Sequence, residues 1–155
     1  MKILYLHGWQ STPGGVKPSY LANAGHELVE PSLPDEDFAA AARIAEEALA
    51  ASKPDLIVGS SRGGAVAMNM QAAGIPRVVL CPAWKRWGSA DRVPAGTIIL
   101  HAPDDDVVPF ADSVELVQRS GLPDSALVAV GHEHRLADPQ SLAMLLRVVE
   151  SGRVD

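Results

Sequence analysis

Four short, near-continuous apolar runs set the frame for this chain: Ile3-Leu4-Tyr5-Leu6, Leu56-Ile57-Val58, Val78-Val79-Leu80 and Thr97-Ile98-Ile99-Leu100. None alternates apolar with polar residues, so each reads as a strand buried on both faces. Between them lie stretches with helical spacing. Phe38, Ala41, Ile44, Ala45, Ala48 and Leu49 follow Asp35, read as the helix cap, and run to Ser52-Lys53-Pro54. Ala65–Ala73 reads as a helix stopped by Gly74 and Pro76, and Phe110–Arg119 as one ended by Gly121. Asp138 caps the last helix, Pro139 takes its first position, and Leu142, Leu145, Leu146 and Val149 form its inner face. A short helix over 19–24, a strand over His26–Glu30 and a last strand over Ala126–Val130 complete the pattern. Buried strands alternating with helices predict an α/β fold, a three-layer sandwich with a mostly parallel sheet of about six strands. Without repeats or low-complexity tracts, the 155 residues read as a single domain over 1–155.

Composition removes several classes of function. The net charge is −6 and no run of lysine or arginine occurs, whereas nucleic-acid binding needs a concentrated basic face. No apolar run approaches the ~20 residues of a membrane helix. The opening Met1–Trp9 stretch is too short in apolar residues for a signal peptide. The expectation is no membrane, no nucleic acid and a cytoplasmic setting. The one cysteine, Cys81, follows Val78-Val79-Leu80 and reads as a buried small hydrophobe. A single cysteine precludes an intramolecular disulfide and fits a reducing compartment.

In a parallel sheet of this kind, sites form at the carboxyl ends of the strands. The polar signals fall at four such ends: His7-Gly8-Trp9, Gly59-Ser60-Ser61-Arg62-Gly63, Asp104-Asp105-Asp106 and His132-Glu133-His134. Gly59-x-Ser61-x-Gly63 stands between an apolar strand and a helix, the context a nucleophile elbow needs. Such a turn holds the Ser61 hydroxyl clear of the sheet at the positive end of a helix, where the Arg62 amide can stabilise an oxyanion. Gly8 lets the backbone turn so that a second amide, that of Trp9, points at the same place. His7 reads as structural. A serine hydroxyl needs a base, and the base needs a carboxylate to fix its tautomer. Downstream of Ser61 the histidines are His101, His132 and His134, and the candidate acids are Asp104, Asp105 and Asp106.

These motifs resemble those of the α/β-hydrolase superfamily, and among its members the small, lid-poor esterase-like ones. Leu6-His7-Gly8-Trp9 is similar to the oxyanion strand end and Gly59–Gly64 to the elbow. His101-Ala102-Pro103-Asp104-Asp105-Asp106-Val107-Val108-Pro109 resembles the acid loop HGxxDxxVP, with Ala102 in place of glycine, and Gly131–Leu136 resembles the histidine loop. The resemblance implies a minimal α/β-hydrolase fold. It implies Asp105 as the acid and His134 as the base to Ser61, in the chain order Ser, Asp, His. It also implies a missing lid, hence an open, shallow site. The expected function is cleavage of a carboxylic ester or thioester of a small acyl group through an acyl-enzyme. Gly8, Trp9 and Trp84 are expected to bind substrate, Trp84-Lys85-Arg86-Trp87 to form a flap or a partner patch, and the Arg62 side chain to select an anionic substrate.

Two other readings stand beside this one. A non-catalytic binding module on the same scaffold is the main alternative, since fold does not imply function. A metal site built from Asp104, Asp105, Asp106, His132 and His134 lacks standard zinc spacing and leaves the elbow unexplained. No metal and no cofactor is expected, and Gly14-Gly15 lacks the lysine and hydroxyl residue of a phosphate loop.

Overall fold

The structure, a computed structural model, describes residues 1–152. Six strands form one sheet: β1 (Lys2–Leu6), β2 (Glu27–Val29), β3 (Leu56–Ser60), β4 (Arg77–Leu80), β5 (Ile98–His101) and β6 (Leu127–Ala129). Their spatial order is β2-β1-β3-β4-β5-β6, and every pairing is parallel. Five helices cover the sheet: α1 (Val16–Asn23), α2 (Phe38–Ser52), α3 (Arg62–Asn69), α4 (Phe110–Ser120) and α5 (Pro139–Ser151).

Strand side chains alternate between the faces, and the core divides accordingly. Leu4, Leu6, Ile57, Val79 and Ile99 pack with Ala41, Ala45, Val66 and Leu116 of α2, α3 and α4. Ile3, Tyr5, Val58, Val78 and Leu100 pack with Leu21, Leu145 and Val148 of α1 and α5. This is the three-layer arrangement that uninterrupted apolar strands require. Each fully buried aliphatic side chain contributes roughly 1.5–3 kcal/mol.

The chain leaves β1 toward β2 on one side and returns to β3 on the other, so the sheet reverses its order between β1 and β3. At such a switch point the loops after the two strands diverge and leave a crevice. The register pairs Leu6 with Gly59, which brings the ends of β1 and β3 side by side.

Several element ends differ from the sequence reading. Helix α1 begins at Val16 rather than at 19, because Pro18 is tolerated in a first turn whose amides have no intrahelical partner. Helix α2 is capped by Asp37, not Asp35: Asp37 accepts from the Ala40 amide at 2.9 Å. Asp35 instead accepts from the Gln10 amide at 2.9 Å and ties down the segment after β1. Helix α3 starts at Arg62 and ends at Asn69, so Gly63 and Gly64 are helical and not part of a loop. The last strand, Leu127–Ala129, is shorter than Ala126–Val130 at both ends: a 3-10 turn takes Ala126, and the chain turns at Gly131 just past Val130. Residues 82–96 hold no helix or strand, as expected.

Candidate active site

Ser61 is the sole residue between β3 and α3, with φ 56° and ψ −115°. A side chain rarely adopts this conformation, and the surroundings enforce it. The Ser61 amide donates to Leu80 O at 2.8 Å, and its carbonyl accepts from the Ala83 and Gly64 amides at 3.0 Å each. The two elbow glycines are steric necessities: a Cβ on Gly59 would run into the Gly63 carbonyl, and one on Gly63 into the Leu6 and His7 carbonyls. That close approach seats α3 against the end of β1.

His134 reaches Ser61 from the loop between β6 and α5. Gly131, at φ 78°, turns the chain there. Asp138 then accepts from the Ser141 amide at 3.1 Å, which anchors the loop to α5. His134 Nε2 lies 2.8 Å from Ser61 Oγ, and Nδ1 lies 2.7 Å from Asp105 Oδ2. A carboxylate only accepts, so Nδ1 carries the proton and Nε2 is left to accept from the serine hydroxyl.

Asp105 is held by its own loop. Its Oδ1 accepts from the Val107 and Val108 amides at 2.8 and 2.9 Å. Burial pushes its carboxyl up, but the hydrogen bonds from His134, Val108 and Val107 outweigh that and hold its pKa below the usual carboxylate range. His101 is a third neighbour, with Nε2 3.1 Å from Asp105 Oδ2. That nitrogen also faces the Val108 carbonyl at 2.9 Å, so it bears the proton, and Nδ1 accepts from the Ser113 hydroxyl at 2.7 Å. Burial lowers the His101 pKa and keeps the ring neutral. Sequence reasoning weighed His101 only as a base and missed this supporting position; the signal was its location four residues before Asp105.

His7 orders the turn that follows β1. Its Nε2 accepts from the Leu33 amide at 3.0 Å, so Nδ1 is protonated and donates to Gly8 O at 2.8 Å. Fixing that carbonyl fixes the planar peptide, and the Trp9 N–H points the opposite way. A Cβ on Gly8 would sit 3.5 Å from Ser61 Cβ, so this peptide lies against Ser61. Among the described residues, neither the Trp9 nor the Arg62 amide has a hydrogen-bond partner.

Three sequence expectations about the surroundings need correction. The Arg62 side chain does not face the site: it is fully buried, donates to Pro34 O at 2.7 Å and lies 4.7 Å from the Trp87 ring centroid and 5.5 Å from that of Phe38. Only the backbone of Arg62, directly after Ser61 at the start of α3, stays near the cavity. Trp84 does not line the site either: it is buried and donates from Nε1 to Asp112 O at 3.1 Å. Ala83, Arg86 and Trp87 line it from that segment instead. In place of a shallow surface there is a cavity of about 640 Å³, within the range of small-ligand sites. Gly8 and Trp9 line it, with Tyr5, Lys17, Ser61 and His134.

The metal-site residues do not come together as a set. His132 is exposed on the loop. Among the described residues the close grouping of potential ligands is Cys81, Asp105 and His134, with ligating atoms within 4.8 Å of one another. Burial pushes the Cys81 thiol pKa far up, and its hydrogen bond to Asp105 adds to this, so the sulfur is protonated and packs as a small buried group.

Sheet order, switch point and elbow together define a minimal α/β-hydrolase fold. The chain matches the model of the Uncharacterised protein family (UPF0227) over residues 2–91 and belongs to that family. The fold is similar to that of mouse alpha/beta hydrolase domain-containing protein 10, at 14% identity and a TM-score of 0.70, covering 96% of this chain and 88% of that one. It is also similar to the ydeN gene product from B. subtilis, at 17% identity and a TM-score of 0.72, covering 97% of each chain. The esterase domain of a Rhodothermus marinus protein aligns at 16% identity and a TM-score of 0.64, over 96% of this chain and 83% of that one. No curated protein matches the sequence. Among the described residues, no helix is long and apolar enough to cross a membrane.

Proposed function

We propose that the protein is a serine hydrolase that cleaves a carboxylic ester or thioester of a small acyl group through an acyl-enzyme. The observation that carries this reading is the hydrogen-bonded chain from Ser61 Oγ through His134 to Asp105, at 2.8 and 2.7 Å. Ser61 Oγ attacks the acyl carbon while its proton passes to His134 Nε2. The carbonyl oxygen becomes an oxyanion that accepts from the Trp9 and Arg62 amides. His134 then gives the proton to the leaving alcohol or thiol, and the acyl group stays on Ser61. Water, deprotonated by the same nitrogen, attacks the acyl-enzyme and releases the acid. Asp105 stays a carboxylate throughout and stabilises the imidazolium.

Ester and thioester cleavage suit the site better than amide cleavage. An alkoxide or thiolate leaves more readily than an amine, so less of the binding energy has to be spent on expelling the leaving group. A cytoplasmic location belongs to the same reading, supported by a lone cysteine held as a buried thiol.

Turnover of p-nitrophenyl butyrate and of a butyryl thioester by the purified protein tests the reading. Ser61→Ala should lower kcat by about 10³-fold or more. Equal rates for the two proteins would remove the serine mechanism. A protein that binds such esters and never turns them over would be a binding module on a hydrolase scaffold.

A further inference from the structure

The chain carries 19 Asp and Glu against 13 Lys and Arg, yet the cavity that opens onto Ser61 reverses this balance. Lys17, Arg86 and Arg135 line it, and no Asp or Glu does. Asp105 is screened from the cavity, with its side chain fully buried behind His134.

The three cations also lack carboxylate partners. Lys17 donates to the Arg135 carbonyl, and Arg86 donates to the Val107 carbonyl at 2.7 Å. The Arg135 guanidinium makes no hydrogen bond or ion pair among the described residues. Elsewhere, Lys2, Lys85, Arg92 and Arg119 face carboxylates, while Arg62 and Arg77, like Lys17 and Arg86, bond only carbonyls, so it is the clustering of Lys17, Arg86 and Arg135 in one acid-free cavity that is distinctive. Like charges gathered in a concave, partly desolvated space repel one another, and an anion entering that space relieves the repulsion. Arginine presents a planar fork of donors that matches a carboxylate or phosphate.

We propose that the cavity selects ester or thioester substrates bearing a carboxylate or phosphate group apart from the scissile bond, with Lys17, Arg86 and Arg135 as the specificity-determining residues. This rests on the serine-hydrolase reading and names its substrate class. It also moves anion selection from Arg62, whose side chain is buried against Trp87, to side chains on three other segments.

Two matched pairs of esters test it. One pair places the charge on the acyl side: p-nitrophenyl hemiglutarate against p-nitrophenyl hexanoate. The other places it on the leaving group: the butyrate ester of 3-hydroxybenzoate against that of 3-hydroxybenzamide. In at least one pair the anionic member should have a kcat/KM about tenfold or more above its neutral partner. That ratio should fall toward one in the Arg86→Gln/Arg135→Gln protein and at high salt, but not in Arg43→Gln, an exposed change on α2. Competitive inhibition by glutarate and by inorganic phosphate separates the two anion chemistries. Binding of the same pairs to Ser61→Ala, measured by calorimetry, reads the preference without turnover. Equal kcat/KM and equal binding within both pairs would overturn the proposal. Hydrolysis unchanged by Ser61→Ala would instead overturn the mechanism and leave the binding comparison to decide on anion selection.

Discussion

His134 Nδ1 sits 2.7 Å from Asp105 Oδ2, and this bond decides which ring nitrogen faces Ser61. Without the carboxylate, the neutral ring is free to carry its proton on Nε2, where it cannot accept from the serine hydroxyl. Asp105→Asn should therefore lower kcat by roughly 10⁴ with little change in KM, on the precedent of other serine triads. Asp104 and Asp106 are exposed, so the same change at either should alter kcat less than about threefold, since surface substitutions rarely propagate. Steady-state kinetics of the three variants is the check. Equal losses would point to a collective electrostatic role.

The two histidines of the last loop should separate as sharply. His134 bridges Ser61 and Asp105, whereas His132 is exposed. His134→Ala should lose nearly all activity and His132→Ala should keep it. The reverse pattern in a single esterase assay would mean that the other histidine is the base.

Ser61 is held at φ 56°, a conformation that glycine adopts freely. Ser61→Gly and Ser61→Ala should be equally inactive but unequal in stability. The glycine variant relieves strain of about 1–2 kcal/mol, partly offset by the greater entropy of its unfolded chain. It should melt a few degrees above the alanine variant. Equal melting temperatures would show that the elbow stores no backbone strain.

His101 gives stability a pH dependence of known sign. Burial holds its folded-state pKa below the ordinary value of about 6.5. The unfolded chain therefore takes up the proton first. The stability His101 contributes is complete above about pH 6.5 and is lost as pH falls through its lower folded pKa. Urea unfolding of the wild type and of His101→Asn should show the widest gap at pH 8 and a narrower one at pH 5. A gap that widens on acidification would contradict the neutral, Nε2-protonated ring.

Trp84 and Trp87 should behave differently. Trp84 donates from Nε1 to the Asp112 carbonyl, so Trp84→Phe should cost about 1–3 kcal/mol of stability and leave KM unchanged. Trp87 lines the cavity and covers the Arg62 guanidinium, so Trp87→Ala should raise KM and also destabilise. Kinetics and denaturation of both variants distinguish core from wall.

The contrast between these tryptophans marks where sequence reasoning ends. The strands and the elbow around Ser61 carry local signals, an apolar run and a glycine pair; within the acid and histidine loops, Asp105 and His134 stand out through the resemblance to α/β-hydrolase motifs. Each was legible because the feature and its cause lie within about ten residues. Trp84 and Trp87 sit in an irregular segment with no period to assign a facing, and only packing against α4 and Arg62 separates them. Arg62 is similar, since its buried position depends on Phe38 and Trp87, far away on either side in sequence. Three glycines suggest a loop as far as Gly64, yet α3 starts at Arg62. The bare backbone of Gly63 lets α3 pack on the end of β1, and that of Gly59 and Gly64 lets α3 approach β3 and Pro82. Lys17, Arg86 and Arg135 come from three separate segments, and nothing local unites them.

Reaction of the protein with a fluorophosphonate, followed by peptide mapping, addresses the nucleophile itself. The account predicts one adduct per chain, on Ser61, that is absent from Ser61→Ala and greatly slowed in His134→Ala. An adduct on another residue, or labelling that persists in Ser61→Ala, would contradict it.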